Sequence, residues 1–198
     1  MSKQTKNTHL LILAAGASSR MGRPKLLEEV RGKKLIEHLL HQLKFKEWKS
    51  CSVVSGCYSL EFLSSLYPSI QVFHNPEWSI GPSTSLDRGL SEYKEVEKAP
   101  LVIVLGDQLY LQWEDLEEML SIFKKREVSF MACSHASNFS PPLILSPSIL
   151  PTFHHAVQTV GGKKWIRQTA EARHFYPLEK AFWDIDTPAD LKRWKAQF

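Results

Sequence analysis

The run Leu101-Val102-Ile103-Val104-Leu105 constrains the fold more than any other stretch of this chain. Five apolar residues in succession, three of them β-branched, sit between Pro100 and Gly106-Asp107. A strand with one wet face alternates apolar and polar residues. An unbroken run must be covered on both faces, as in a parallel sheet between helical layers. Leu10–Ala14, Ser52–Val54, Ile70–Phe73 and Val128–Ala132 are further short runs, read as strands. Between them lie helical patterns, such as Leu35, Ile36, Leu39, Leu40 and Leu43, or Leu116, Met119, Leu120 and Phe123. Thr187-Pro188-Ala189-Asp190 reads as the start of a last helix, with Thr187 as N-cap. This β-α alternation predicts an α/β, three-layer αβα, Rossmann-like domain with a mostly parallel central sheet and right-handed crossovers. Asn138 to Pro151, with four prolines around Leu143-Ile144-Leu145, should leave the parallel core as an edge strand or an excursion.

Composition narrows the function classes. The 198 residues are 43% hydrophobic and 23% charged, ordinary for a globular chain, and no linker divides them, so a single domain over 1–198 is expected. No apolar run nears the roughly 18 residues needed to cross a bilayer, and Leu10–Ala15 reads as a buried first strand rather than a secretion signal. Three cysteines form neither a disulfide framework nor a zinc-site spacing, which favours a cytoplasmic setting. The net charge of +4 comes from 25 basic and 21 acidic residues without a basic stripe interleaved with aromatics. Nucleic acid and membrane are therefore not expected partners; an anionic small molecule is. A monomer or weak dimer is expected.

The chemistry concentrates in Leu13-Ala14-Ala15-Gly16-Ala17-Ser18-Ser19-Arg20-Met21-Gly22-Arg23-Pro24-Lys25. A strand ends at Ala14, and small residues then let backbone N–H groups approach an anion. Ser18 and Ser19 add hydroxyls, and Arg20, Arg23 and Lys25 add positive charge. Five residues between Gly16 and Gly22, followed by Arg23-Pro24, fit neither a Walker A loop nor a dinucleotide fingerprint. Pro24 also argues against a continuous helix from Ser18.

The spacing Leu13-Ala14-Ala15-Gly16-x-Ser18-x-Arg20-Met21-Gly22-x-x-Lys25 closely resembles the signature L-A-A-G-x-S-x-R-M-G-x-x-K of the MobA-like nucleotidyltransferases, particularly the molybdenum cofactor cytidylyltransferases. The resemblance implies that Leu13, Ala14, Ala15, Gly16 and Ser18 wrap a nucleoside triphosphate, with Arg20 and Lys25 facing its phosphates. Three further segments extend it. Asn75-Pro76-Glu77-Trp78 through Gly81 to Ser85-Leu86 is similar to N-P-x-W-x-x-G-x-x-x-S-L, which lies against the nucleotide and brings in Ser83 and Ser85. From the residues alone, Ser83 or Thr84 would be the N-cap of a helix. Pro82 stands where the family often carries Met, near the base and ribose, so CTP is expected while GTP and ATP stay open.

Leu105-Gly106-Asp107-Gln108 follows the most apolar strand, so Asp107 sits where open α/β sheets bind ligands and could hold Mg²⁺ against phosphates. The family motif has proline where Leu109 stands. Trp183-Asp184-Ile185-Asp186-Thr187-Pro188 resembles the late D-I-D-T-P segment, which implies a second metal carboxylate. Asp186 is the first choice. Asp184 is the rival, expected on the opposite side of a short strand, and Asp190 is read as a helix-dipole residue.

The resemblance implies a split into a nucleotide half, about 8–110, and an acceptor half, about 111–198. The latter departs from the pattern: Ser140-Pro141-Pro142 replaces a G-H-P-like turn, and Gly161-Gly162-Lys163-Lys164 replaces G-D-x-G. The implied reaction moves an NMP, with CMP from CTP expected, onto a phosphorylated acceptor and releases pyrophosphate. Arg20, Lys25 and Asp107 are the catalytic candidates, with Mg²⁺ on Asp107 and Asp186. A molybdenum cofactor precursor is the expected acceptor. A sugar phosphate, a phosphoalcohol, or nucleotide binding without catalysis are the alternatives.

Overall fold

In the computed structural model, which describes residues 5–93, 99–136, 138–169 and 173–196, the Leu101–Leu105 run is a strand near the middle of a seven-stranded sheet. In chain order the strands and helices are β1 (His9–Leu13), β2 (Glu29–Val30), β3 (Lys33–Lys34), α1 (Leu35–Gln42), β4 (Ser50–Ser55), α2 (Phe62–Leu66), β5 (Ile70–His74), α3 (Pro82–Leu90) and β6 (Leu101–Leu105). There follow α4 (Trp113–Lys125), β7 (Phe130–His135), β8 (Asn138–Leu145), α5 (Leu150–Thr159), α6 (Gly162–Gln168), β9 (Arg173–Pro177) and α7 (Pro188–Lys195). The sheet order is β5-β4-β1-β6-β8-β7-β9, and β2 and β3 form a separate hairpin. All pairs in the large sheet are parallel except those of β8, which runs antiparallel to β6 and β7.

Continuous apolar strands fit because each supplies both layers. Leu10, Ile12, Val102 and Val104 pack with α1, α4 and α7; Leu11, Leu101 and Ile103 pack with α3, α5 and α6. The expected periodic residues of α1 and α4 are indeed the buried ones. At roughly 1.5–3 kcal/mol for each fully buried large aliphatic side chain, these two cores dominate the stability of the sandwich.

The proline-rich segment does not behave as expected. β8 is an interior strand, not an edge. Leu143, Ile144 and Leu145 pair on both sides, with β6 and with β7. Pro141 and Pro142 lie beyond the last β6 pair, beside a register shift at Ala132/Cys133 of β7, where ladder N–H groups are not required. Among the described residues no helix is long and apolar enough to cross a membrane, and Cys51, Cys57 and Cys133 are free thiols.

Candidate active site

The strand order creates the site. From β1 the chain steps outward through β4 to β5, then returns to the other side of β1 as β6. The loops leaving β1 and β6 therefore diverge between adjacent parallel strands, the switch point at which open α/β sheets bind ligands. A cleft of about 550 Å³ opens there, lined by the β1 loop, the β6 loop, the start of α3 and Asp186. That volume suits a nucleotide-sized ligand.

The first loop contributes residues 13–20, Lys25 and Leu26 to the lining. Ala14 N–H still bonds Val54 O at 2.9 Å, and Gly106 N–H bonds Leu13 O at 2.8 Å, so both loops start from one hydrogen-bonded platform. Ser18 lies in the left-handed region (φ 55°) ahead of a short 3₁₀ turn over Ser19–Met21, and Gly22 (φ 68°) ends it. Pro24 stops any continuation, as expected, and a second 3₁₀ turn covers Lys25–Leu27. A partner of this loop was missed in the sequence: Gly56. A Cβ there would stand 2.6 Å from the Cβ atoms of Ala15 and Trp78, so only glycine lets the β4 loop clamp the first loop against the α3 approach. Cys57 N–H and the Tyr58 hydroxyl donate to Ala15 O and Ala17 O, at 3.0 and 3.1 Å. The signal was only a Gly after a strand, too common to single out.

Four charged side chains from three distant segments meet in the cleft. Lys25, 8% exposed, donates to Asp107 Oδ2 at 2.7 Å and to Asp186 Oδ1 at 3.0 Å. Arg20, largely exposed, donates to the other Asp186 oxygen. Burial alone would lower the Lys25 pKa, but Asp107 and then Asp186 outweigh it and raise it, so the ammonium is firmly charged. The two expected phosphate-facing cations are thus tied to the two expected metal carboxylates.

The segment carrying Asp184 and Asp186 is not a strand but irregular over residues 183–186, and two residues apart they would share a strand face in any case, so the expected opposition does not hold. Asp186 lines the cleft, while Asp184 is exposed and does not line it. The Asp184 carboxyl is nonetheless pushed up to about 6, by partial desolvation and then by repulsion from Asp107 and Asp186. Asp190 has the helix-start role expected for it: Thr187 caps α7, and the Asp190 carboxylate accepts from Thr187 N–H at 2.8 Å and Thr187 Oγ1 at 2.7 Å. Those bonds, with Arg193, pull Asp190 down to about 2.

Gln108, unremarked in the sequence, holds these segments in register. Fully buried, it accepts from Leu105 N–H at 2.9 Å and donates to Pro141 O and Ala181 O, both at 2.6 Å. The β6 turn, β8 and the approach to Asp186 are joined through one amide. Leu109, in place of the family's proline, is buried, and its carbonyl accepts from Trp194 Nε1 at 3.0 Å.

The remaining wall is the start of α3. Its N-cap is Gly81 with Pro82 in the first turn, not Ser83 or Thr84: Pro82 needs no N–H partner, so the helix begins earlier than a hydroxyl cap would set it. Ser85 is buried and lines the cleft beside Trp78 and Pro82; Ser83 is exposed and does not line it. Leu13, Ala14, Ala15, Gly16 and Ser18 all line it. Among the described residues no cluster of three or more His, Cys, Asp or Glu forms.

The model of the MobA-like NTP transferase domain matches residues 10–173. The chain belongs to this family. As a MobA-like NTP transferase it shares its fold with several solved structures. A Mycobacterium sp. strain JC1 homologue of Mycobacterium tuberculosis Rv0371c aligns with TM-score 0.78 and 19% identity, over 97% of this chain and 96% of that one. Molybdopterin-guanine dinucleotide biosynthesis protein A from Archaeoglobus fulgidus aligns with TM-score 0.71 and 22% identity, over 96% and 97%. The 4-diphosphocytidyl-2C-methyl-D-erythritol synthase of Anaerococcus prevotii aligns with TM-score 0.74 and 15% identity, over 96% and 97%. A comparison with curated proteins finds no match. The family model and these structures together give this chain a nucleotidyltransferase family and its α/β fold.

Proposed function

We propose that this nucleotidyltransferase moves CMP from CTP onto a phosphorylated acceptor, a molybdenum cofactor precursor, with Mg²⁺ as its metal. The observation carrying this reading is the convergence of Arg20, Lys25, Asp107 and Asp186, distant in sequence, at one switch-point cleft. The CTP assignment rests on the likeness of the first-loop motif to cytidylyltransferases. The Asp107 and Asp186 carboxylates converge on one small cation, the Lys25 ammonium, and hard oxygen donors of this kind suit Mg²⁺. Mg²⁺ bound there would supply charge neutralisation to the phosphates.

Arg20, Lys25 and the first-loop N–H groups bind phosphate oxygens and align the α-phosphorus with the attacking group. An acceptor phosphate oxygen forms the new P–O bond, the bond to the bridging α–β oxygen breaks, and pyrophosphate leaves with that electron pair. The acceptor is already ionised near neutral pH, so the site needs no general base. The free thiols favour a reducing, cytoplasmic setting.

A thermal-shift series with the four NTPs and Mg²⁺ tests the base. CTP should give the largest rise, about 2.7 kcal/mol at a hundredfold excess over Kd; a lead by GTP or ATP would replace the assignment. Acceptor-dependent pyrophosphate release should vanish in Asp107→Ala while the fold persists. A second reading, in which the acceptor is a sugar phosphate or phosphoalcohol, is left open by the departure of the acceptor half: Gly162 stands where the family has an acid, and a Cβ there would lie 3.3 Å from Leu86. Turnover with those acceptors and none with the pterin would select it; NTP binding with no turnover would leave a binding protein.

A further inference from the structure

The Asn75 side chain lies outside the cleft lining, yet it governs a polar group that lines it. Asn75 is 2% exposed, directly after β5. Its amide orientation is set by the backbone: Glu77 N–H donates to Asn75 Oδ1 at 3.0 Å, so the NH₂ end must face the other way. There both donor hydrogens are used, one on Thr84 Oγ1 at 3.0 Å and one on Ser85 Oγ at 2.9 Å. Thr84 passes its own proton to carbonyl oxygens, with Glu77 O and Gly81 O both at 2.9 Å. Ser85 does not. Its Oγ accepts from Asn75, and no protein acceptor takes its proton among the described residues, although the residue is 6% exposed and lines the cleft.

We infer that Asn75 is a positioning residue for ligand selection. By occupying one lone pair of Ser85 Oγ while no acceptor among the described residues takes the proton, it biases the Ser85 hydroxyl to donate toward the cleft. The ligand group favoured against Ser85 is then a hydrogen-bond acceptor, a carbonyl oxygen or ring nitrogen of the base or a sugar oxygen, over an amino group. Ser85 shares α3 with Pro82, an element that carries none of the four charged groups of the cleft, so we assign this contact to the nucleoside end of the ligand. A buried hydroxyl biased in this way discriminates, because a ligand that offers only a donor leaves the Ser85 proton without an acceptor. The inference rests on the nucleotide reading of the cleft proposed above.

The test is a double-mutant cycle on NTP affinity, read by calorimetry with the full chain. Asn75→Asp keeps the acceptor for Glu77 N–H but turns the donor into an acceptor, so the Ser85 proton is drawn away from the cleft. In the wild-type background this variant should weaken the favoured NTP on the order of tenfold, as should Ser85→Ala. In the Ser85→Ala background Asn75→Asp should add only the smaller, general effect of its charge. Equal losses in both backgrounds, or no loss in either, would overturn the inference. Asn75→Ala serves if the aspartate variant fails to fold, since it frees the Ser85 hydroxyl and must also couple to Ser85. If the wild-type protein binds no NTP, the nucleotide reading and this inference fall together; NTP binding without coupling removes the inference alone.

Discussion

Asp184 differs from its neighbours because its charge is opposed rather than paired. Its carboxyl titrates at about 6, against an ordinary 3.8, through desolvation and the Asp107 and Asp186 charges. A carboxyl raised by folding holds its proton in the native state at a pH where the unfolded chain has released it. Stability therefore falls as pH rises from about 4 to about 6. Asp184→Asn should remove that fall. The variant and the wild type should melt together below about pH 4, with the variant more stable near neutrality; parallel melting curves across the range would assign the shift to another group. Asp186 sits two residues on, yet carries paired charge, because Lys25 and Arg20 reach it. The sequence named both acids and put Asp186 first by likeness alone; the charge pairing that separates them depends on where two distant cations lie.

Elements were legible wherever their apolar period was unambiguous. β6 has the ends expected of it, and the buried stripes of α1 and α4 are the ones that the 3.6 period marks. The α3 start and β8 were not. Pro82 moved the cap to Gly81, and β8 became an interior strand because its prolines fall where the ladder lapses. Ile144 gives a test of that placement. Fully buried between β6 and β7 on an interior strand, it should cost about 2–5 kcal/mol when truncated in Ile144→Ala. For a chain of this size that is a drop in Tm of several degrees or more. An edge strand would lose far less, so a shift within about 1 °C would contradict the interior assignment.

For the whole molecule, the decisive feature is that the site is assembled across the sheet: Lys25 follows β1, Asp107 follows β6 and Asp186 precedes α7. Gln108 couples these through Leu105, Pro141 and Ala181, and Ile185 N–H reaches Asp107 O. Gln108→Leu would leave two buried carbonyls and one N–H without partners, at roughly 1–3 kcal/mol for each group. We expect a lowered Tm together with a fall in kcat that exceeds any change in NTP affinity, because the first loop does not depend on Gln108. A variant that loses stability while keeping full kcat would make Gln108 structural only. By itself the sequence determined the α/β class, the small-residue turn of the first loop with its cations, and the identity of the charged residues. Each of these follows from local rules: apolar period, small-residue turns and side-chain charge. Only the tertiary structure decided that Lys25 bridges Asp107 and Asp186, that Gly56 and Gln108 hold the loops, and that Asn75 addresses Ser85. Those are contacts between segments tens of residues apart or more, and strand order, which no local pattern encodes, brings them within hydrogen-bond distance.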